Sequence, residues 1–114
     1  MSKHFVPINT LASNEESEIL EFNKSTSELK EGVISIASIL NKHQKGSLYF
    51  GIRNDGTVIG QEISEKTLRD ISKSISESIE PKIYPEISKV NVQGKSCVEV
   101  EFQGSNVPYF AFGI

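Results

Sequence analysis

Residues 46–60 read GSLYFGIRNDGTVIG, and the reading of this stretch decides the fold. Leu48, Phe50 and Ile52 alternate with Tyr49, Gly51 and Arg53, the period-two pattern of a strand with one buried face. Asn54-Asp55-Gly56 follows as a turn, because glycine takes positive φ without steric cost and aspartate tolerates the position before it. Val58 and Ile59 begin a return strand, so the stretch predicts a β-hairpin. Gly51 packs nothing in mid-strand. It marks a close approach by another backbone or a ligand, or else a bulge or crossing helix.

Upstream, Leu29, Val33, Ile36, Ala37 and Leu40 recur three and four apart and predict a helix from about Glu28 to Lys42, with Ser27 as N-cap. Ile34 and Ile39 widen its apolar surface beyond one stripe. Downstream, Leu68, Ile71, Ile75 and Ile79 predict a second helix over Glu65 to Ile79, capped by Ser64 and stopped before Pro81. Ile87, Val90 and Val92, then a turn at Gln93-Gly94-Lys95, then Val98, Val100 and Phe102 alternating with Cys97, Glu99 and Glu101, predict a second hairpin. The acidic stretch Glu15 to Glu21 reads as a helical turn entering an edge strand. Residues 1–14 lack sustained periodicity and read as a poorly ordered arm, with Phe5, Val6 and Ile8 as a short extended piece. The predicted fold class is mixed α/β, of the α+β type: a largely antiparallel sheet from two hairpins with two helices on one face.

At 114 residues and 12.6 kDa the chain has room for one domain, taken as 15–114. No apolar run approaches the roughly 20 residues that span a bilayer, and no basic segment followed by an apolar one opens the chain. A single cysteine, Cys97, cannot form an internal disulfide, and no Cys/His cluster has zinc-ligand spacing. These features predict a cytoplasmic protein without a membrane partner. The net charge of −3 means that nucleic-acid binding requires a local basic patch; Lys42, His43, Lys45 and Arg53 are its candidates, against the alternative of a solvated helix end. The chain closes on PYFAFGI, an aromatic segment that either continues the core or meets a missing C-terminal domain of a longer protein.

Among chemical motifs, no GxxxxGK[ST] phosphate loop is present, and Lys45-Gly46-Ser47 follows a helix instead of preceding one. His4 and His43 lie in no nucleophile context. Converging carboxylates can hold Mg²⁺ or Mn²⁺ for phosphodiester cleavage, and Glu16, Glu21 and Asp55 are the candidates. Spacing alone does not unite them, since five residues on a helix turn through about 140°, and on a strand they reverse the face.

Glu16 with EFNKS (21–25), the helix ending IASILNKHQKG, the hairpin SLYFGIRNDGTVIG, the helix ending SIEPKIYP and the closing VEVEFQGSNVPYF together resemble the Schlafen AlbA-type domain over about 100 residues, in order. The resemblance implies a DNA-binding domain of the kind found at the N-terminus of bacterial transcriptional regulators or ATP-binding proteins. Vertebrate Schlafen proteins similar to this domain include metal-dependent endoribonucleases with two glutamates and an aspartate, and Glu16, Glu21 and Asp55 stand at the matching motif positions. Here the segment before the hairpin reads NKHQKG where the family usually has Asn-Thr-Gly-Gly, and the chain holds one copy of a core those enzymes duplicate, which a homodimer would supply.

Three functions follow. The first is a non-enzymatic nucleic-acid-binding module, DNA before RNA, with Lys24, Lys42, Lys45 and Arg53 on phosphates and no cofactor. The second is a nuclease holding Mg²⁺ or Mn²⁺ on Glu16, Glu21 and Asp55, with Lys24 stabilising phosphate charge. The third is a protein-interaction or dimerisation module built on a sheet edge.

Overall fold

The computed structural model describes residues 18–114 in full and the backbone of residues 4–6. The elements in chain order are β1 (His4–Val6), β2 (Leu20–Asn23), α1 (Leu29–His43), β3 (Lys45–Phe50), α2 (Glu65–Ser78), β4 (Ile79–Glu80), β5 (Glu86–Val92), β6 (Lys95–Gln103) and β7 (Phe110–Ala111). Five strands form one sheet in the order β1-β5-β6-β3-β2; the inner pairings are antiparallel, whereas both edge strands run parallel to their neighbours. A second, two-stranded sheet pairs β4 with β7. This is the expected α+β class. Apart from β1, the expected N-terminal arm lies outside the described residues.

Helix α1 buries Val33, Ile36, Ala37 and Leu40 of the expected stripe and Ile39 beside it, whereas Leu29 is partly buried and Ile34, expected to widen the apolar surface, is exposed. Its start differs in detail. Ser25, not Ser27, has the extended backbone that a cap requires, and its hydroxyl accepts the Ser27 N–H; a 3-10 turn over Thr26–Glu28 then feeds the helix. Helix α2 begins on a reciprocal capping box between Ser64 and Thr67 and buries Ile71 and Ile75.

Both helices cover the sheet face formed by Leu48, Phe50, Val98, Val100 and Phe102. Truncation there leaves a cavity as well as lost transfer energy, about 2–5 kcal/mol for an Ile75→Ala change. The opposite face divides. One end is a small apolar cluster of Phe22, Tyr49, Ile52, Val58, Val90, Val92 and Cys97, with the Phe22 and Tyr49 rings edge to face at 6.4 Å between centroids. The other end carries two polar rungs, Ser47–Glu101–Glu86 and Tyr49–Glu99–Ser88.

Residues 46–60 form a strand followed by a compact loop. Strand β3 has β6 on one side and β2 on the other, so the return limb of the expected hairpin shrinks to a single bridge, Ile52 to Val58. Gly51, at φ +110°, turns the chain out of the sheet, and its carbonyl accepts the N–H groups of Ile59 and Gly60 at 2.9 and 2.8 Å. A Cβ on Gly51 would lie 2.9 Å from Cys97 Sγ and 3.3 Å from Gly60 Cα. The close approach is by the Cys97 side chain first and the Gly60 backbone second. The second hairpin forms fully: Gln93 and Gly94 take φ 54° and 81°, the left-handed pair of a tight two-residue turn, and Asn91 Oδ1 accepts the Gly94 N–H at 2.9 Å.

The closing aromatic segment splits by alternation. Tyr109 and Ala111 are buried in the core, whereas Phe110 and Phe112 face outward. Asn41 of α1 holds the segment like a strand partner, donating to the Tyr109 carbonyl at 2.9 Å and accepting its N–H at 2.7 Å.

Candidate nucleic-acid interface

The motif Phe22-Asn23-Lys24-Ser25 builds one end of the sheet residue by residue. Phe22 is fully buried. The Asn23 carbonyl accepts the N–H groups of Gly51 and Ile52 at 2.8 and 3.3 Å, which locks the end of β2 to the root of the Arg53 loop. Glu28 Oε1 accepts the Lys24 backbone N–H at 3.0 Å and the Asn23 amide at 3.4 Å. With its backbone thus held and Ser25 capping the turn behind it, Lys24 is exposed beside the N-terminal end of α1, where the helix dipole favours an anion and Glu28 already stands at the N-cap.

Arg53 reaches the same place from the other chain segment. Lys24, Glu28, Arg53, Asn54 and Asp55 line a shallow recess of ≈ 380 Å³. Asp55 shapes the loop: its Oδ1 accepts the Thr57 N–H at 2.9 Å, and that bond, a further one to the Thr57 side chain and the nearby Arg53 charge hold its carboxyl below the usual range. Neither Lys24 nor Arg53 makes an ion pair with a described residue.

The other two candidate cations sit at the opposite end of the sheet. The 15 residues of α1 separate its ends by about 22 Å at 1.5 Å per residue. Lys42 lines a recess of ≈ 320 Å³ with Glu18, Glu21, Ser35, Ser38 and Ile39; beside it His43 Nε2 lies 2.8 Å from Glu18 Oε1, close but outside hydrogen-bond alignment. Lys45 shares a recess of ≈ 500 Å³ with Glu86 and Glu101. That end is the acidic one. Burial first, then the charges of Glu99 and Glu86, push the Glu101 carboxyl up, and Tyr49, its phenol pushed up by burial and by Glu99, donates to Glu99 Oε2.

The carboxylates of the metal reading divide similarly. Glu21 and Asp55 line separate recesses, Glu16 lies outside the described residues, and among the described residues no three His, Cys, Asp or Glu side chains are placed to hold a metal ion. Sequence reasoning missed Glu28 and Gln61 as positioning residues. The only signal for Glu28 was its place three residues after Ser25; Gln61 had none.

The fold and this site together define an α+β domain that sets Lys24 and Arg53, with Glu28 and Asp55, around one recess beside a helix start. The chain belongs to the Schlafen AlbA_2 family: the family profile described as Schlafen, AlbA_2 matches residues 16–112. Among solved structures, the DIP2311 protein from Corynebacterium diphtheriae is similar with a TM-score of 0.68 at 13% identity, over 92% of this chain and 23% of that one. The N-terminal domain of a DNA helicase RecG-related protein from Nitrosomonas europaea is similar with a TM-score of 0.61 at 19% identity, over 86% of this chain and 71% of that one. At those identities the likeness is one of fold. This chain therefore spans about a quarter of the DIP2311 protein, and no curated protein matches it. No helix among the described residues is long and apolar enough to cross a membrane.

Proposed function

We propose that the chain is a DNA-binding module of a bacterial cytoplasmic regulator, and that it holds the phosphate backbone through Lys24 and Arg53. The observation that carries the reading is the convergence of these two cations, 29 positions apart in sequence, on one recess at the start of α1. Family membership supports a nucleic-acid role, as does the likeness to a domain whose parent is called DNA helicase RecG-related. The recess also holds the carboxylates of Glu28 and Asp55, but these accept the Lys24 and Thr57 backbone N–H groups, and Glu86, Glu99 and Glu101 gather at the other end of the strands. A phosphate approaching Lys24 meets a local field that the chain's total charge does not describe.

The test is fluorescence anisotropy with labelled duplex DNA, single-stranded DNA and transfer RNA at low and physiological salt, with and without Mn²⁺, reading binding and cleavage together. Duplex binding should weaken with salt, and Lys24→Ala or Arg53→Ala should lower affinity and each reduce the salt slope by about one. Lys45→Ala should change little. Equal losses from Lys45→Ala and Lys24→Ala would overturn the placement of the site, and Mn²⁺-dependent cleavage abolished by Glu21→Ala would replace the reading with the nuclease.

A further inference from the structure

A second surface, which shares no lining residue with the Lys24 recess, surrounds the closing aromatic segment. Along residues 109–112 the alternation that buries Tyr109 and Ala111 leaves Phe110 and Phe112 exposed by 49% and 38%. Their rings line a recess of ≈ 590 Å³ with Glu77, Ser78, Glu80 and Gly113. Glu80 is the register partner of Phe110 across the β4–β7 pair, so the two side chains stand side by side on one face. Neither Glu77 nor Glu80 makes an ion pair with a described residue.

Three sources of negative potential converge here: the two carboxylates, the faces of two aromatic rings, and the C-terminal end of α2, whose last turn holds no basic residue. Cations of the chain itself already occupy the margins. Lys30 Nζ sits 5.4 Å from the centroid of Phe112, and Lys82 Nζ donates to the Ser76 carbonyl at 2.7 Å. No described cation pairs with Glu80 or sits over the Phe110 ring.

We propose that this recess docks an arginine-bearing, extended segment of a partner protein, its guanidinium stacked on the Phe110 ring and paired with Glu80. Arginine fits better than lysine because its planar group stacks on a ring face and bonds a carboxylate through two parallel N–H groups. A nucleic acid does not fit, since its phosphates would meet Glu77 and Glu80.

The test titrates the chain with three labelled nonapeptides in which glycine alternates with arginine, lysine or glutamate, read by anisotropy and by ¹⁵N-resolved NMR. The arginine peptide should bind tightest and the glutamate peptide not at all, with shifts confined to residues 77–80 and 110–113. Phe110→Ala and Glu80→Gln should each weaken it about three- to fivefold, with the rest of the NMR spectrum unchanged, and Lys24→Ala should leave it unaffected. Shifts that map instead to Glu86, Glu99 and Glu101, equal binding by both variants, or self-association that buries Phe110 and excludes the peptide would each overturn the proposal.

Discussion

Thr26 and Gln61, which lie 35 residues apart, exchange a reciprocal pair of hydrogen bonds: the Thr26 N–H donates to Gln61 Oε1 at 3.0 Å, and Gln61 Nε2 donates to Thr26 Oγ1 at 3.1 Å. The pair ties the turn behind Lys24 to the far end of the loop that carries Arg53. Gln61→Ala should therefore cost about 1–2 kcal/mol in urea unfolding. It should also lower duplex affinity at a salt slope like that of the unaltered chain, because both cations remain while their spacing loosens. An unchanged affinity would show that Lys24 and Arg53 do not act together.

Asn41 satisfies both backbone groups of Tyr109. Asn41→Ala leaves a part-buried N–H and C=O without their side-chain partner, a loss of about 1–2 kcal/mol. Amide exchange should speed up over Tyr109–Phe112 more than in β6, since the closing segment then opens without the sheet. Uniform acceleration across the sheet would contradict this.

Gly46 sits where α1, β2 and β6 meet. A Cβ there would lie 2.7 Å from Ile39 Cγ2, 2.9 Å from Phe102 Cζ and 2.9 Å from the Ile19 carbonyl oxygen. The last is backbone and cannot swing away, so Gly46→Ala should cost about 1–3 kcal/mol, read as a lower urea midpoint. A neutral result would mean that the edge strand β2 shifts freely.

Glu101 predicts a pH dependence with a definite sign. Partial burial and the charges of Glu99 and Glu86 raise its folded-state pKa above the unfolded value, while a bond from Ser47 opposes them. Its contribution is thus fully present below the ordinary carboxylate range and is lost as pH rises through the raised value. Glu101→Gln should stabilise the chain at pH 7, by no more than about 1 kcal/mol because solvent screens the side chain. The gain should vanish near pH 3, and equal urea shifts at both pH values would refute the linkage.

The two helices, their stripes and the β5–β6 hairpin were legible in the sequence. Each rests on contacts within a few residues: Ser64 with Thr67, Ile71 with Ile75, Gln93 beside Gly94. The Phe-Asn-Lys-Ser motif also stood out, although the roles of its residues did not. The return limb after Asp55 read as a strand because Val58 and Ile59 have strand character, yet β6 and β2 already occupy both sides of β3. A strand has two edges, and local pattern does not say which segments win them.

By itself, the sequence determined the α+β class and the face each helix buries, because periodicity and capping act over one or two turns of chain. Only the tertiary structure decided that the edge strands run parallel to their neighbours, that Lys24 and Arg53 line one recess while Lys42 and Lys45 lie across the length of α1, and that Glu86 and Glu101 share a rung. These are meetings between segments tens of residues apart. They are set by strand order and register, which depend on the combined packing of the whole sheet and are written in no single stretch of it.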